Sequence, residues 1–442
     1  MDTDNQIWNT FGDTVVHPFV LGFTLFMSVL IIVLPRRMVI VPLMLVAVII
    51  PIQQRFVFAT LDFFMLRILI FFGWARLLIR SEFHTIRLNA IDFAIILWAI
   101  ARVISYSINW KTPEAFVNRL GYSFDALGIY FLFRYLIKNF KDIERIIKTL
   151  VFISALVASF MIIERATGRN SFSVLGDVPE FTVIRDGRMR CQGAFLHPIL
   201  AGTFGAVLFP LFITLWWQDI NNRRLAIVGS LAATVITVSA SSSGPILAYL
   251  VGMSVLLIWS VRQLLPLICW CFSCMILIIQ IIMDAPIWAL LWRIKVFGAS
   301  TGYHRFLLFD QFIKHFREWW LFGTKSTLHW GYRLFDITNQ YVRIGIDGGL
   351  VTLLLFITII VLCFTALAKA FQKFENQLPM QILLWGLGTS LLVNLVSFMG
   401  VSYFDQIVVI WYMLLAIISQ VSNMINNNAL IISDSDELIY EN

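Results

Sequence analysis

The chain has 442 residues, of which 59% are hydrophobic and only 13% charged, and its mean hydropathy is +0.83. Soluble domains are typically about 45–50% apolar and about 25% charged, so this chain has too little polar surface for a water-soluble globule. The composition excludes a soluble enzyme, a disordered scaffold and a nucleic-acid-binding protein, even though the net charge is +7. It predicts a polytopic membrane protein.

Thirteen apolar windows follow one another along the chain. The amino terminus is acidic and lacks the basic region of a cleaved signal peptide, so we expect the first window to remain in the protein. Two windows are short, and the prediction is one all-α polytopic transmembrane bundle (1–442) with about 12–13 spans. The windows are 18–34, 38–53, 56–79, 88–108, 115–137, 146–164, 194–217, 225–241, 244–260, 264–283, 345–367, 380–399 and 403–422.

Basic residues in the short connections predict the orientation. With the amino terminus outside, every basic cluster of these connections faces the cytoplasm, as short loops prefer. The tail 423–442 is rich in Asn and then acidic, and is predicted to be a solvated cytoplasmic end. The clusters are Arg36 and Arg37; Arg76, Arg80 and Arg87; Lys138, Lys141, Arg145 and Lys148; Arg223 and Arg224; Arg262; and Lys369 and Lys373.

Two long segments, 165–193 and 284–343, then fall on the extracytoplasmic side. Together they hold thirteen of the 33 Lys and Arg residues. Long loops are exempt from the charge rule, so this basic content calls for another explanation.

The second long segment contains an amphipathic stretch, Arg305–Trp320, typical of a helix lying in the membrane interface. It is interpreted either as a helix packed over the bundle or as the border of a lipid-substrate site that presents Arg305. On the predicted helix, one face carries Phe309, Phe312, Ile313, Phe316 and Trp320, and the other carries Asp310, Lys314 and Arg317.

An arginine cluster, Arg185, Arg188 and Arg190, precedes the window 194–217. A guanidinium group donates two parallel hydrogen bonds and stays charged, so such a cluster suits a lipid diphosphate at headgroup depth. General attraction to anionic lipid headgroups is the alternative interpretation. Ionisable residues within the windows, such as Arg102 and Arg119, are interpreted as structural partners.

The sequence predicts no metal site and no cofactor. It shows no cluster of His or paired carboxylates at metal-ligand spacing, and His315 and His329 are interpreted as interfacial. The five cysteines lie mostly in or beside apolar runs and form no disulfide framework.

A series of short motifs extends in order from Arg190 to Leu350. Arg190-Cys-Gln-Gly-Ala-Phe-Leu-His197-Pro-Ile-Leu-Ala-Gly202 comes first, and Ser241-Ser-Ser-Gly244 follows. Arg305 then opens the amphipathic helix, and Trp320-Leu-Phe-Gly323 comes after it. The last motifs are Asp336-Ile-Thr338-Asn339-Gln-Tyr341 and Asp347-Gly-Gly349-Leu350. In this order they resemble the signatures of the O-antigen ligase and polymerase family of bacterial envelope proteins, over roughly residues 120–420.

The resemblance implies a metal-independent membrane glycosyltransferase that acts on undecaprenyl-diphosphate-linked oligosaccharide at the outer face of the bacterial cytoplasmic membrane. By motif position, Arg190 and Arg305 engage the donor diphosphate, together with Arg188 and His197. Membrane lipids, a flippase and chain-length or export proteins are the expected partners. Without the resemblance, His197 is interpreted as an ordinary interfacial histidine.

One position departs from the family pattern. Where ligases of the family carry a His before the Asn, this chain has Thr338, whose hydroxyl cannot accept a proton at neutral pH, beside Asn339 and Tyr341. The candidate general bases are then His304, Asp336 and Asp347, although Asp347 is equally interpreted as a hydrogen-bond acceptor at a helix start. Alternatively, the oxocarbenium-like transition state needs little base assistance.

The departure at Thr338 favours a polysaccharide polymerase, in which the acceptor is another lipid-linked repeat unit. The product is then exopolysaccharide, capsule or O-antigen. A ligase that transfers glycan to lipid A core or another acceptor remains an alternative. A flippase or transporter of the same lipid-linked sugars is a third, less favoured because no internal repeat is detected.

Overall fold

The computed structural model describes residues 14–58, 61–83, 86–283, 285–290, 302–404 and 406–426. The chain is 77% helical with almost no sheet, which confirms the predicted all-α class. The described α-helices are Pro18–Val33 (α1), Ile40–Ile49 (α2), Met65–Ile79 (α3), Ala90–Trp110 (α4), Pro113–Leu136 (α5), Phe140–Thr167 (α6), Pro198–Gln218 (α7), Arg223–Ser239 (α8), Ser243–Leu257 (α9), Leu265–Ile282 (α10), Gly302–Lys314 (α11), Phe316–Trp319 (α12), Gln340–Lys373 (α13), Leu378–Phe398 (α14) and Ile407–Asn426 (α15).

Two short antiparallel hairpins accompany these helices. Arg55–Phe58 (β1) pairs with Leu61–Phe64 (β2), and Val183–Arg185 (β3) pairs with Arg188–Arg190 (β4). The first hairpin occupies the beginning of the predicted window 56–79, so that window is a hairpin followed by α3 and not one continuous helix. Its four phenylalanines and Val57 favour extended backbone, which explains the difference.

Seven described helices are long and apolar enough to cross a membrane, as expected of a multi-pass membrane protein. By length and composition, fewer described helices qualify as spans than the 12–13 that were predicted, although every predicted window overlaps a helix. Helix geometry explains the shortfall: the 10 residues of α2 rise about 15 Å, whereas the hydrocarbon core is about 30 Å thick. One of the seven, Ser243–Ile268, runs from α9 through the 3₁₀ segment Ile258–Leu264 into the start of α10. The others are Ala90–Trp110, Phe140–Thr167, Pro198–Gln218, Gln340–Lys373, Leu378–Phe398 and Ile407–Ile425.

The predicted cytoplasmic connections lie at one end of the bundle and the long loops at the other. At the first end, Arg36 after α1 forms a 3.0 Å ion pair with Asp142 at the start of α6. At the opposite end, Gln406 before α15 donates 2.8 Å from its Nε2 to the carbonyl of Ala194 before α7. The predicted tail begins inside α15, which ends at Asn426, and its residues 427–442 lie outside the described residues.

Helices α7 and α15 form the centre of the bundle, with 83% and 89% of their apolar windows buried. Small residues allow close packing around α7. A Cβ at Gly205 would lie 2.5 Å from the Ala233 carbonyl oxygen of α8, and a Cβ at Gly202 would lie 2.9 Å from Pro245 of α9. The absence of these side chains lets α8 and the start of α9 pack closely against the first turns of α7.

Helix α13 is interrupted at Gly349, whose φ of 79° and ψ of −174° belong to a region essentially restricted to glycine. The second long loop packs into this break. The N–H of Leu350 donates 2.7 Å to the carbonyl of Trp320, and the N–H of Thr324 donates 2.9 Å to that of Ile346. The loop is therefore joined to the first turns of α13 through its backbone.

The predicted amphipathic helix Arg305–Trp320 is broken at His315, which separates α11 from α12. The break changes the buried face. Phe312 is buried as predicted, but the other core positions are Leu308 and Trp319, whereas Phe316 and Trp320 are exposed. Phe312 and Trp319 stack at 4.0 Å between ring centroids, so the turn at His315 folds the segment around its own aromatic core.

Candidate functional site

The hairpin of the first long loop places three arginines on one face. Its turn, Asp186-Gly187, has φ values of 52° and 71°, as a two-residue hairpin turn requires. The register pairs Arg185 with Arg188 and Val183 with Arg190. Paired residues of antiparallel strands share a face and successive residues alternate, so Arg185, Arg188 and Arg190 lie together.

Arg190 is held against the amino terminus of α9. The Cys191 N–H donates 3.1 Å to the carbonyl of Ser239, which fixes the end of β4 beside the end of α8. Arg190, only 8% exposed, donates from Nη2 to the Ser242 hydroxyl at 2.6 Å. Ser242 is the N-cap residue of α9, but its side chain does not cap the helix. The helix start therefore adds its own partial positive charge to that of the guanidinium.

Arg305, on the first turn of α11, reaches the same helix start from the second long loop. Its guanidinium lies over two glycines: a Cβ at Gly244 would be 3.5 Å from Nη2, and a Cβ at Gly400 would be 3.3 Å from Cζ. The buried Nε has no hydrogen-bond partner among the described residues. Both predicted diphosphate-binding arginines thus lie beside the start of α9.

The two buried arginines of this site have no directly paired carboxylate in the part of the protein that the structure describes, although Asp186 of the hairpin turn lies 3.9 Å from Nε of Arg185. Among the described residues, neither Arg190 nor Arg305 forms an ion pair with a carboxylate, whereas Arg76 and Arg134 at the other end of the bundle pair with Glu82 and Asp92. Burial and then the charge of Arg185 lower the pKa of Arg190 and that of Arg305. Buried cations without an anion are costly, so the site is suited to an anionic ligand.

His197 is the N-cap residue of α7, and its Nδ1 accepts a 3.1 Å hydrogen bond from the N–H of Ile199. An accepting Nδ1 leaves the proton of the neutral ring on Nε2, which is then a donor. Burial, followed by the charges of Arg190 and Arg185, lowers the pKa of His197 to about 4. His197 therefore contributes a neutral hydrogen-bond donor to the cationic site.

The lowered pKa of His197 predicts that the protein loses stability in mild acid. The unfolded state binds a proton near its ordinary pKa of about 6.5 and the folded state only near 4, so stability falls as the pH decreases between them. His197→Asn keeps an N-cap acceptor but cannot titrate. We expect melting temperatures of detergent-purified protein to depend less on pH in this variant between pH 6.5 and 4.5. An unchanged pH dependence would contradict this assignment.

Asp347 lies in a different cluster from Arg190 and Arg305. Its Oδ2 is 3.3 Å from Nη2 of Arg102, 3.2 Å from Nη2 of Arg119 and 3.2 Å from Nε of Arg343. Arg119 also stacks on Tyr106, with Cζ 3.7 Å from the ring centroid. The carboxylate thus joins α4, α5 and α13, and its three cationic neighbours oppose the proton uptake that a general base requires.

The Thr338-Asn339-Tyr341 motif forms the start of α13. Asn339 is its N-cap residue, and its Oδ1 accepts from the N–H groups of Tyr341 and Val342 at 2.9 and 3.1 Å. The Tyr341 hydroxyl donates to the Leu395 carbonyl at 3.3 Å, whereas the buried hydroxyl of Thr338 has no partner among the described residues. The contacts of Asn339 and Tyr341 are those of a helix start.

His304 and Asp336 are brought together, but through the backbone of Asp336. Nε2 of His304 lies 2.9 Å from the Asp336 carbonyl oxygen, which can only accept a hydrogen bond. Nε2 therefore carries a proton, and in the neutral ring Nδ1 is left free to accept one. The Asp336 side chain is exposed and forms no ion pair among the described residues.

One residue of the site was not identified from the sequence, and for a second only its membership of an arginine cluster was predicted. Gly400, beneath Arg305, follows α14 and carries no local signal of its role. Arg185 was noted only as one of a cluster, although Asp-Gly between alternating residues is a strong hairpin signal that would have aligned it with Arg190.

The chain was also compared with known proteins. No protein-family model matches it, and no curated protein matches it.

Proposed function

We propose that the protein is a membrane glycosyltransferase of the polymerase type, similar to the O-antigen ligase and polymerase family. Its donor is an oligosaccharide linked to undecaprenyl diphosphate, and its acceptor is a second lipid-linked repeat unit. The reaction takes place at the outer face of the bacterial cytoplasmic membrane.

The observation that carries this proposal is the convergence of Arg190 and Arg305 on the start of α9 without a carboxylate partner among the described residues. Two separate loops contribute these cations, and the hairpin adds Arg185 and Arg188 on the same face as Arg190. A diphosphate offers several anionic oxygens in a small volume, which matches several guanidinium groups and a helix amino terminus. A single carboxylate would leave most of these donors unused.

The same donors also favour glycosyl transfer. In the reaction, the acceptor oxygen forms a bond to the anomeric carbon while the bond between that carbon and the diphosphate oxygen breaks. The diphosphate leaves with the electron pair, and negative charge grows on it in the transition state. Arg190, Arg305 and the Nε2–H of His197 stabilise this developing charge, which lowers the barrier more than it strengthens ground-state binding.

The acceptor hydroxyl must release its proton during the transfer. Of the three predicted bases, His304 has the most suitable geometry because its Nδ1 is free to accept a proton while Nε2 is bound to a carbonyl. Asp347 is already shared among three arginines, and Asp336 is exposed to solvent. In this proposal His304 takes the proton, and the chain's Thr338 does not act as a base.

An assay with purified protein and radiolabelled undecaprenyl-diphosphate-linked oligosaccharide tests the proposal. We expect release of undecaprenyl diphosphate together with a ladder of longer glycans that remain attached to the lipid. Transfer of glycan to a different acceptor without a ladder would identify a ligase instead. Movement of intact substrate across a vesicle membrane without cleavage would identify a flippase, and the transferase proposal would then be wrong.

A further inference from the structure

Three potential metal ligands come together in the second long loop, outside the cationic site. The ligand atoms of His315, Glu318 and His329 all lie within 4.8 Å of one another. His315 occupies the turn between α11 and α12, Glu318 lies on α12, and His329 belongs to the 3₁₀ helix Leu328–Trp330. Sequence separation hides the cluster, because His329 follows Glu318 by 11 residues without a metal-binding motif.

From this arrangement we propose that His315, Glu318 and His329 bind one zinc-class divalent cation. Two imidazoles and one carboxylate form a recognised protein ligand set for Zn²⁺, with water in the fourth position. A tetrahedral zinc ion with ligand distances of about 2.0–2.1 Å holds its ligand atoms about 3.3 Å apart. The His329 Nε2 atom lies 2.8 Å from Oε2 of Glu318, and the His315 Nε2 atom lies 4.0 Å from Oε1 of the same carboxylate, so small side-chain shifts would bring all three ligands to that spacing.

The surroundings of His315 are those of a metal ligand. Nδ1 of His315 lies 2.9 Å from the carbonyl oxygen of Gln311, which can only accept, so Nδ1 carries the proton and Nε2 presents its lone pair to the cluster. A metal-bound histidine usually donates a hydrogen bond from its other ring N–H to such an acceptor, which fixes both the tautomer and the ring orientation. The ring also stacks on Trp330, with 5.1 Å between centroids.

Glu318 is likewise oriented by a neighbour. Its Oε2 accepts a 3.0 Å hydrogen bond from Nε1 of Trp330, a residue that is only 4% exposed and packs in the aromatic core of the loop. The His329 and Glu318 side chains are 54% and 39% exposed, so an ion from solution can reach them. Because the ligands come from α12 and the two segments flanking it, the cation would fix the turn at His315 against the 3₁₀ helix.

Zinc binding to the purified full-length protein tests the proposal directly. After treatment with a chelator and its removal, titration calorimetry with Zn²⁺ should show one site per chain. X-ray absorption of the zinc-loaded protein should show two imidazole nitrogens and one carboxylate oxygen. In Glu318→Gln and in His329→Ala, affinity should fall by at least the roughly 10–100-fold that follows loss of an outer-shell partner.

Glu318→Gln is expected to keep the fold of the loop, because the amide oxygen of the glutamine can still accept the hydrogen bond from Nε1 of Trp330. His304→Gln is the matched control, since this histidine lies in the same loop outside the cluster and should leave zinc affinity unchanged. No Zn²⁺ uptake by the wild type, or equal uptake by all variants, would overturn the proposal. So would an absorption spectrum without imidazole ligands.

Discussion

Arg305→Ala and Arg190→Ala should each abolish most glycosyl transfer while the protein remains folded in the membrane. Each substitution removes a fixed cation from the position where the leaving diphosphate gains charge. Loss of one comparable donor in other enzymes lowers turnover by about 10²–10³-fold, and we expect at least that effect here. The measurement is the rate of undecaprenyl diphosphate release, normalised to protein that elutes as a single species in detergent.

Two further variants make this result interpretable. Arg305→Lys keeps the positive charge but loses the planar fork, so we expect intermediate activity. Arg317→Ala removes an exposed arginine of the same loop that lies outside the cationic site, and it should leave activity near the wild-type value. Full activity of both alanine variants at positions 190 and 305 would eliminate the diphosphate-binding role of these residues.

Asp347→Asn should destabilise the fold. The substitution leaves Arg119, which is 4% exposed, together with Arg102 and Arg343, without the carboxylate that they share. Breaking a buried ion pair typically costs about 3–5 kcal/mol, and we expect the lower part of that range because the Arg343 side chain is 46% exposed. The melting temperature and the monodisperse fraction after detergent extraction should both decrease.

The exposed carboxylate of Asp336 supplies the control for this prediction. Asp336→Asn should change stability by less than about 0.5 kcal/mol, as is usual for a surface substitution. An Asp347→Asn protein that melts like the wild type but has lost transfer would indicate a chemical role for Asp347. The two variants therefore separate a structural carboxylate from a general base.

The helices could be predicted because apolar windows are a local property of sequence. All thirteen windows overlap helices, but the sequence did not separate the β1–β2 hairpin from α3 or locate the break at His315. Both depend on competition between different backbone conformations of similar free energy. Aromatic residues suit either a lipid-facing helix or a strand, and the turn at His315 is favoured by the stacking of Phe312 on Trp319.

The cationic site was predictable in part. The sequence suggested Arg190, Arg305 and the serine-rich start of α9, and the structure brings them together. It could not show that Asp347 lies among Arg102, Arg119 and Arg343, because two of these arginines are more than 200 residues away in sequence. Long-range ion pairs leave no periodic or local signal, so their members appear in the sequence as isolated charges.

The break at Gly349 has a mechanical consequence. Two backbone hydrogen bonds fasten the Trp320–Thr324 stretch to α13, on both sides of the interruption. Moving this stretch away from α13 would break these hydrogen bonds and leave their backbone donors and acceptors without partners, which costs free energy for each group. A hinge motion of the loop at Trp320–Thr324 is therefore disfavoured. This part of the loop and α13 move together as one rigid body.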